Sequence, residues 1–244
     1  MKTRWLLQWR FRDRELSRRF YPPGFQGDFQ RFLEAAEAYL QPGVRILDAG
    51  CGSGRLFPYD IRRRGAYVVG LDATWELGAN ANLTSPVLGR LERLPFRDGA
   101  FDIVLCKHVV EHLSHPQAIF RELARVLAPG GHLVVLTPNR RHYVPLLARL
   151  LPYPVHVAIN RARGVREREV FPTLYRANTM GELLALGGGV GLQPVRLWAF
   201  EAQPSYLAFH PLAFALGVAY ERLVNRLRAL ALLRANLLAV FVKP

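Results

Sequence analysis

Apolar residues in the middle of this 244-residue chain come in short runs punctuated by turn residues. Val44, Ile46 and Leu47 open a run over 44–49. Others fall at 67–71 (YVVGL), 86–89, 101–106 and 132–137. Runs of this length read as buried strands. Between them the apolar spacing becomes helical. Pro116 to Leu127 reads as an amphipathic helix ended by Pro129-Gly130-Gly131. Upstream, Asp28 can cap a helix reaching about Leu40, with Phe29, Phe32, Leu33 and Ala36 on one face. Strand and helix in alternation predict an α/β domain whose parallel sheet is covered on both faces.

The pattern changes after Asn139. About 40 residues follow in which Arg140, Arg141, Arg149, Arg161, Arg163, Arg166, Arg168 and Arg176 mix with an apolar stretch, LLARLLPYPVHVAI. Thr179 then caps a short helix, Met180 to Leu186, stopped by Gly187, Gly188 and Gly189. Val195 to Ala202 reads as a sixth strand and Leu237 to Val242 as a seventh, with a helical insertion, including Leu212 to Leu232, between them. Residues 1–27 form a basic aromatic segment (Arg4, Trp5, Trp9, Arg10, Phe11) closed by Pro22, Pro23 and Gly24. Residues 28–244 are expected to form a single domain with insertions at about 140–178 and 204–235.

Composition adds bounds. At 50% hydrophobic, the chain can bury one sizeable core. Two cysteines, Cys51 and Cys106, indicate no disulfide framework, so a reducing cytoplasm is the default. Arg4, Arg10 and Arg12 interrupt any signal peptide. The most apolar stretches, 144–159 and 206–220, contain prolines and fall short of the roughly 18–20 apolar residues of a membrane span. Net charge is +14, and only three of the 33 basic residues are lysines. A GC-rich genome accounts for such arginine usage. An anionic partner is the functional alternative: a membrane surface, a phosphorylated carrier or nucleic acid.

The chemistry concentrates in VRILDAGCGSG, Val44 to Gly54. After a strand it turns through Asp48, Gly50, Gly52 and Gly54, glycines that permit positive φ and close approach of a ligand. A helix starting near Arg55 would aim its N–H groups at the same spot. The GxGxG spacing differs from both GxGxxG and GxxxxGK[ST], and no Lys-Ser or Lys-Thr follows to hold phosphate and magnesium. The loop suits an amino acid joined to a nucleoside better than a pyrophosphate. Asp72, at the end of the second strand and about 20 positions on, is placed to accept hydrogen bonds from ribose hydroxyls. LERLPFRDGAFDIVLCKHVVEHL (Leu91 to Leu113) and LAPGGHLVVLTPN (Leu127 to Asn139) follow in order.

This ordered set resembles the class I S-adenosylmethionine-dependent methyltransferases of small-molecule type, in particular the quinone-pathway O-methyltransferase-like group. The resemblance covers residues 40 to 140 closely. It implies a Rossmann-like three-layer sandwich, with a seven-stranded, mostly parallel sheet, an antiparallel last strand, and helical insertions after strand 5 and between strands 6 and 7. The implied cofactor is S-adenosyl-L-methionine, held by Asp48, Gly50, Cys51, Gly52, Gly54, Asp72, Ala73, Leu91, Glu92 and Lys107. Relatives commonly carry an acidic residue before the Leu91-Glu92 pair to contact adenine; this chain has Arg90, so that contact shifts to Glu92 or to backbone. Arg31 could reach the cofactor carboxylate, although a solvated helix arginine is the simpler reading.

His108, Glu111 and His112 share one face if HVVEH is helical. Relatives place ionisable residues at these positions, so His108 or His112 is a candidate general base and the three together a weaker candidate cation site. A structural role is the plainer alternative. HxxEH also matches an inverted zinc-peptidase motif, which its place inside the methyltransferase core excludes. Tyr175, Arg176 and His142 are candidates for acceptor contact, because this region covers the carboxyl ends of the strands. The acceptor is expected to be a small molecule methylated at oxygen, lipid-linked or glycan. An anionic membrane surface is a candidate partner. RNA modification is disfavoured, because CKHV stands where a nitrogen-directed DPPY or NPPY would be. A non-catalytic scaffold that keeps the fold is a third reading.

Overall fold

A computed structural model of the chain describes residues 17–22, 27–54, 61–148, 172–208 and 210–244. The helix expected near Arg55, most of the basic aromatic N-terminal segment and the middle of the first insertion lie outside these residues. Helix α1 (Asp28–Glu37) precedes strand β1 (Arg45–Ala49), followed by β2 (Tyr67–Asp72), β3 (Ser85–Leu88) and β4 (Phe101–Lys107). Then come α2 (Pro116–Val126), β5 (Leu127–Pro138), α3 (Tyr143–Ala148), α4 (Met180–Gly189), β6 (Gln193–Phe200), α5 (Pro211–Arg226) and β7 (Asn236–Val242).

The strands form one seven-stranded sheet in the order β3-β2-β1-β4-β5-β7-β6. β3, β2, β1, β4 and β5 pair in parallel. β7 runs against β5. Gly130 N–H donates to the Lys243 carbonyl (2.7 Å) at one end of the pair, and Asn139 N–H to the Ala235 carbonyl (2.7 Å) at the other. β1 and β2 end at Ala49 and Asp72, and β4 at Lys107, so the polar residues of the Gly loop, Asp72 and His108 collect at one edge. The apolar middles of β1, β4, β5 and β7 are wholly buried, with Phe32, Phe120 and Phe241 among the largest core side chains. Burial of this apolar area is the main force holding the sheet.

Two element boundaries differ from expectation for visible reasons. The Pro129-Gly130-Gly131 turn lies inside β5, because the end of β7 pairs with it through both Gly130 N–H and the Gly131 carbonyl. The glycine run 187–189 lies inside α4. A Cβ on Gly187 would stand 2.5 Å from the Phe241 ring, so this glycine allows the helix to approach β7 closely. HVVEH is not an α-helix. Only Val110–His112 form a single 3-10 turn, and His108 precedes it in the left-handed region at φ 54°.

The chain packs as two compact units. One gathers residues 1–28, 139–172 and 199–236. The other comprises 29–138, 173–198 and 237–244 and carries most of the sheet.

Candidate active site

Within the sheet-bearing unit, the glycine loop follows β1 as a tight turn. Gly50 and Cys51 N–H both donate to the Leu71 carbonyl, at 2.7 and 3.2 Å. Gly50, Gly52 and Gly54 all have positive φ (78°, 51° and 69°). Their surroundings differ. A Cβ at Gly50 would meet Val109 at 2.5 Å and one at Gly54 would meet Asn80 at 2.3 Å, whereas one at Gly52 would meet nothing within 4 Å. The first and third glycines are required by packing; the second faces open space that a ligand can fill.

Asp72 anchors the loop at Gly52. Its Oδ2 accepts from Gly52 N–H (2.8 Å), and its Oδ1 from Thr74 N–H and Thr74 Oγ1 (both 2.9 Å). Asn80 braces the loop by donating from Nδ2 to the Cys51 and Gly52 carbonyls, at 3.2 and 3.3 Å. Its Oδ1 accepts from Asn82 N–H at 3.0 Å, an Asx turn. Asp48, Gly50, Cys51, Gly54, Asn80, Asn82 and Lys107 line a small cleft. Lys107 is buried, its ammonium 5.7 Å from the Phe29 ring centroid. Burial, with the charges of Asp48 and Asp72 adding to it, pushes the Cys51 thiol far up, so it stays a neutral lining group.

Of the remaining expected cofactor residues, Ala73 is exposed beside Asp72. Leu91 and Glu92 follow β3, and Gly89, just past that strand, donates its N–H to the Asp72 carbonyl (2.9 Å). Glu92 is 3.5 Å from Arg90 Nε, so the arginine that replaces the expected acid neutralises its neighbour. The Arg31 guanidinium stacks 4.4 Å above Trp198.

Beside the loop, Glu111 organises a buried polar network. His108 Nδ1 lies 3.4 Å from Glu111 Oε1, and Thr137 Oγ1 donates to Oε2 at 3.0 Å. Asn178 Nδ2 donates to Thr137 Oγ1 (2.6 Å) and to the Pro138 carbonyl (3.0 Å). The Glu111 main-chain carbonyl accepts from Leu174 and Tyr175 N–H, at 2.7 and 3.1 Å. Burial pushes the Glu111 carboxyl up, but the His108 hydrogen bond and the charges of His108 and His112 outweigh it and hold the group below its ordinary value. The carboxylate is therefore ionised at neutral pH. His112 feels that charge, yet among the described residues no three His, Cys, Asp or Glu side chains are arranged to hold a metal ion.

Tyr175 is drawn to this network through its backbone, at φ 50°. Arg176 donates from Nη1 to the Ser114 carbonyl and lines an open groove with Pro116, Gln117 and Glu182. His142 belongs to the other unit, where its Nε2 lies 3.3 Å from Glu201 Oε2. Sequence reasoning missed Asn80, Asn82, Thr137 and Asn178. The signal for the asparagines was their i, i+2 spacing; Thr137 and Asn178 had no local signal.

The strand order, the antiparallel seventh strand and the loop–acid pair define a Rossmann-like methyltransferase fold. Residues 47–135 match the methyltransferase domain family, and the chain resembles the class I S-adenosylmethionine-dependent methyltransferases. It is similar to a ubiquinone biosynthesis O-methyltransferase of Xanthomonas axonopodis pv. citri, 37% identical over 142 residues, covering 51% of this chain and 59% of the relative. A second enzyme of that name, from Marinobacter nauticus, is 35% identical over 109 residues, covering 40% and 45%. The chain spans about half the length of the curated relatives it matches. Among solved structures, the [4+2]-cyclase SpnF aligns with a TM-score of 0.58 at 18% identity, covering 88% of this chain and 80% of that one. A geranyl diphosphate C-methyltransferase from Streptomyces coelicolor aligns at 0.53 and 17%, covering 88% and 78%. At such identities these two show the fold alone.

Proposed function

We propose that the chain is an enzyme transferring a methyl group from S-adenosylmethionine to an oxygen of a small-molecule acceptor. The observation that carries this reading is the pairing of the Gly52 cradle with the Asp72 carboxylate. Open space at Gly52 would receive the amino-acid end of the cofactor. Asp48 offers a carboxylate to its ammonium, Lys107 a cation to its carboxylate, and Asp72 acceptors to its ribose. When bound, the cofactor supplies a sulfonium-activated methyl group, so the protein need not provide a strong electrophile. The protein's task is to orient the acceptor and remove its proton.

His108 is the proposed base. With Nδ1–H directed at Glu111, its Nε2 is the atom that would take the proton of an acceptor hydroxyl, while the bound cofactor would supply the methyl group by cleavage of its S–CH3 bond and leave as S-adenosylhomocysteine. Glu111 stabilises the imidazolium that results, while Thr137 and Asn178 hold Glu111 in place. Tyr175 and Arg176 are proposed acceptor contacts. The acceptor class we favour is lipid-linked, presented at an anionic membrane surface, in keeping with the net charge of +14. The names of the relatives, ubiquinone biosynthesis O-methyltransferases, support oxygen as the acceptor atom.

Titration calorimetry with S-adenosylhomocysteine tests the cofactor site. Asp72→Ala should weaken binding about 10- to 100-fold, the worth of hydrogen bonds to a charged group. Unchanged affinity would remove the ribose assignment.

A further inference from the structure

Helix α5, in the unit formed by residues 1–28, 139–172 and 199–236, carries large apolar side chains on its outward as well as its inward face. Its inward face is mostly apolar but holds one buried carboxylate. Glu221 is buried, accepting from Tyr21 Oη (3.3 Å) and Asn225 Nδ2 (2.8 Å), alongside Phe214, Val218 and Val224. Asn225 also donates to the Glu201 carbonyl (3.1 Å). Gly217 packs so closely that a Cβ there would stand 2.6 Å from Pro204. These contacts fix the helix rotation. The outward face carries leucines: Leu212 and Leu216 are each 64% exposed and Leu223 51%. At i, i+4 and i+11 they lie on one stripe. Leu227, Leu232 and Leu233 extend it past the helix end, all exposed.

Leucines outside and a glutamate inside cannot be a core awaiting a better fit, because the inward partners are already made. The stripe's charge says what covers it. Arg226 and Arg228 are exposed beside the leucines, and Arg222 keeps 59% of its side chain in solvent. Between Gln203 and Arg234 the only acidic residue is Glu221, which is buried. A second copy docking by the same face would set these arginines against one another with no carboxylate to answer them. Anionic lipid headgroups answer all of them, and the leucines reach the acyl boundary beneath.

We infer that the leucine–arginine face of α5 and the turn after it is the surface by which this protein lies on an anionic membrane. This deepens the membrane reading proposed above and rests on it. The face does not span the bilayer: among the described residues no helix is long and apolar enough to cross one.

Vesicle sedimentation of the full chain tests the assignment, using phosphatidylcholine with and without phosphatidylglycerol. Wild type should bind the anionic vesicles preferentially, and less so as salt rises. The triple variant Leu212→Glu/Leu216→Glu/Leu223→Glu should lose binding by well over tenfold, each leucine contributing about tenfold when buried. Arg226→Glu/Arg228→Glu should lose the preference for anionic lipid. Both variants should keep S-adenosylhomocysteine affinity in solution, which shows that they fold. If wild type binds and the leucine variant binds equally well, the face is wrong and the membrane reading survives. If wild type binds neither vesicle, the membrane reading fails with it. If lipid-free wild type sediments as a dimer that the leucine variant dissociates, the face joins two copies and the inference is overturned.

Discussion

His108 and Tyr175 are the two described non-glycine residues with positive φ, and each is tied to Glu111. A left-handed non-glycine residue costs on the order of 1 kcal/mol and persists only where its surroundings over-determine it. Here the His108 ring faces the Glu111 carboxylate, and Tyr175 N–H is bound to the Glu111 carbonyl. Sequence spacing singled out His108, Glu111 and Tyr175, but it placed the first two on a helix. Nothing local could show that Thr137 and Asn178, 41 residues apart, complete the network. With a methyl acceptor in hand, His108→Ala should lower kcat about hundredfold while leaving cofactor affinity intact. Glu111→Gln is the sharper test, because the role proposed for Glu111 is exerted through His108. Removing the negative charge destabilises the imidazolium, so the acid limb of the kcat/KM profile should move to lower pH. An unmoved limb in Glu111→Gln would make the network purely structural.

At the scale of elements, the glycine run 187–189 shows where local signals mislead. Glycines after a periodic segment read as a helix stop, yet α4 continues through them. The reason is tertiary: β7 brings Phe241 against Gly187, and no side chain fits between. Gly187→Ala should therefore destabilise the fold by about 1–3 kcal/mol through overpacking. That opposes the roughly 1 kcal/mol that alanine gains over glycine inside a helix. Urea unfolding decides the sign, and a stabilised variant would show that Phe241 can yield. The early start of β5 has the same kind of cause. Its first residues are a turn by composition and a strand because β4 pairs with Leu127 and Lys243, just past β7, bonds Gly130 and Gly131. By contrast, β1, β2, β4 and α2 follow their apolar pattern to within a residue or two, since burial on a parallel sheet needs only a continuous apolar run.

For the whole molecule, charge and its placement set the response to pH. Asp102, Glu111 and Glu122 all sit below their ordinary values. Arg45 binds Asp102 through both its guanidinium and its backbone N–H, and Arg125 with the Leu94 N–H does the same for Glu122. A carboxyl depressed in the folded state contributes stability above its unfolded pKa of about 4 and loses it as pH falls through the lower folded value. Tm should thus be nearly flat near neutrality and drop below about pH 4. Protonation also adds to a net charge already at +14, and the added self-repulsion acts in the same direction. The Asp102 and Glu122 pairs are partly exposed, so each gives a small step. Asp102→Asn should make the acid slope shallower in thermal melts, and an unchanged slope would assign the acid loss to the other carboxyls.

The sequence by itself determined the class of fold, the cofactor and the strand ends that hold the loop and Asp72. Those features rest on local rules: apolar runs, glycines that permit positive φ, and an acid at a strand end. Only the tertiary structure decided the rest. It turned Gly52 toward open space while closing Gly50 and Gly54 with Val109 and Asn80, and joined His108 to Thr137 and Asn178 through Glu111. It also rotated α5 so that its glutamate faces in and its leucines face out. Each of these depends on residues far apart in the chain, brought together by burial, and burial is a property of the packed sheet that no window of sequence contains.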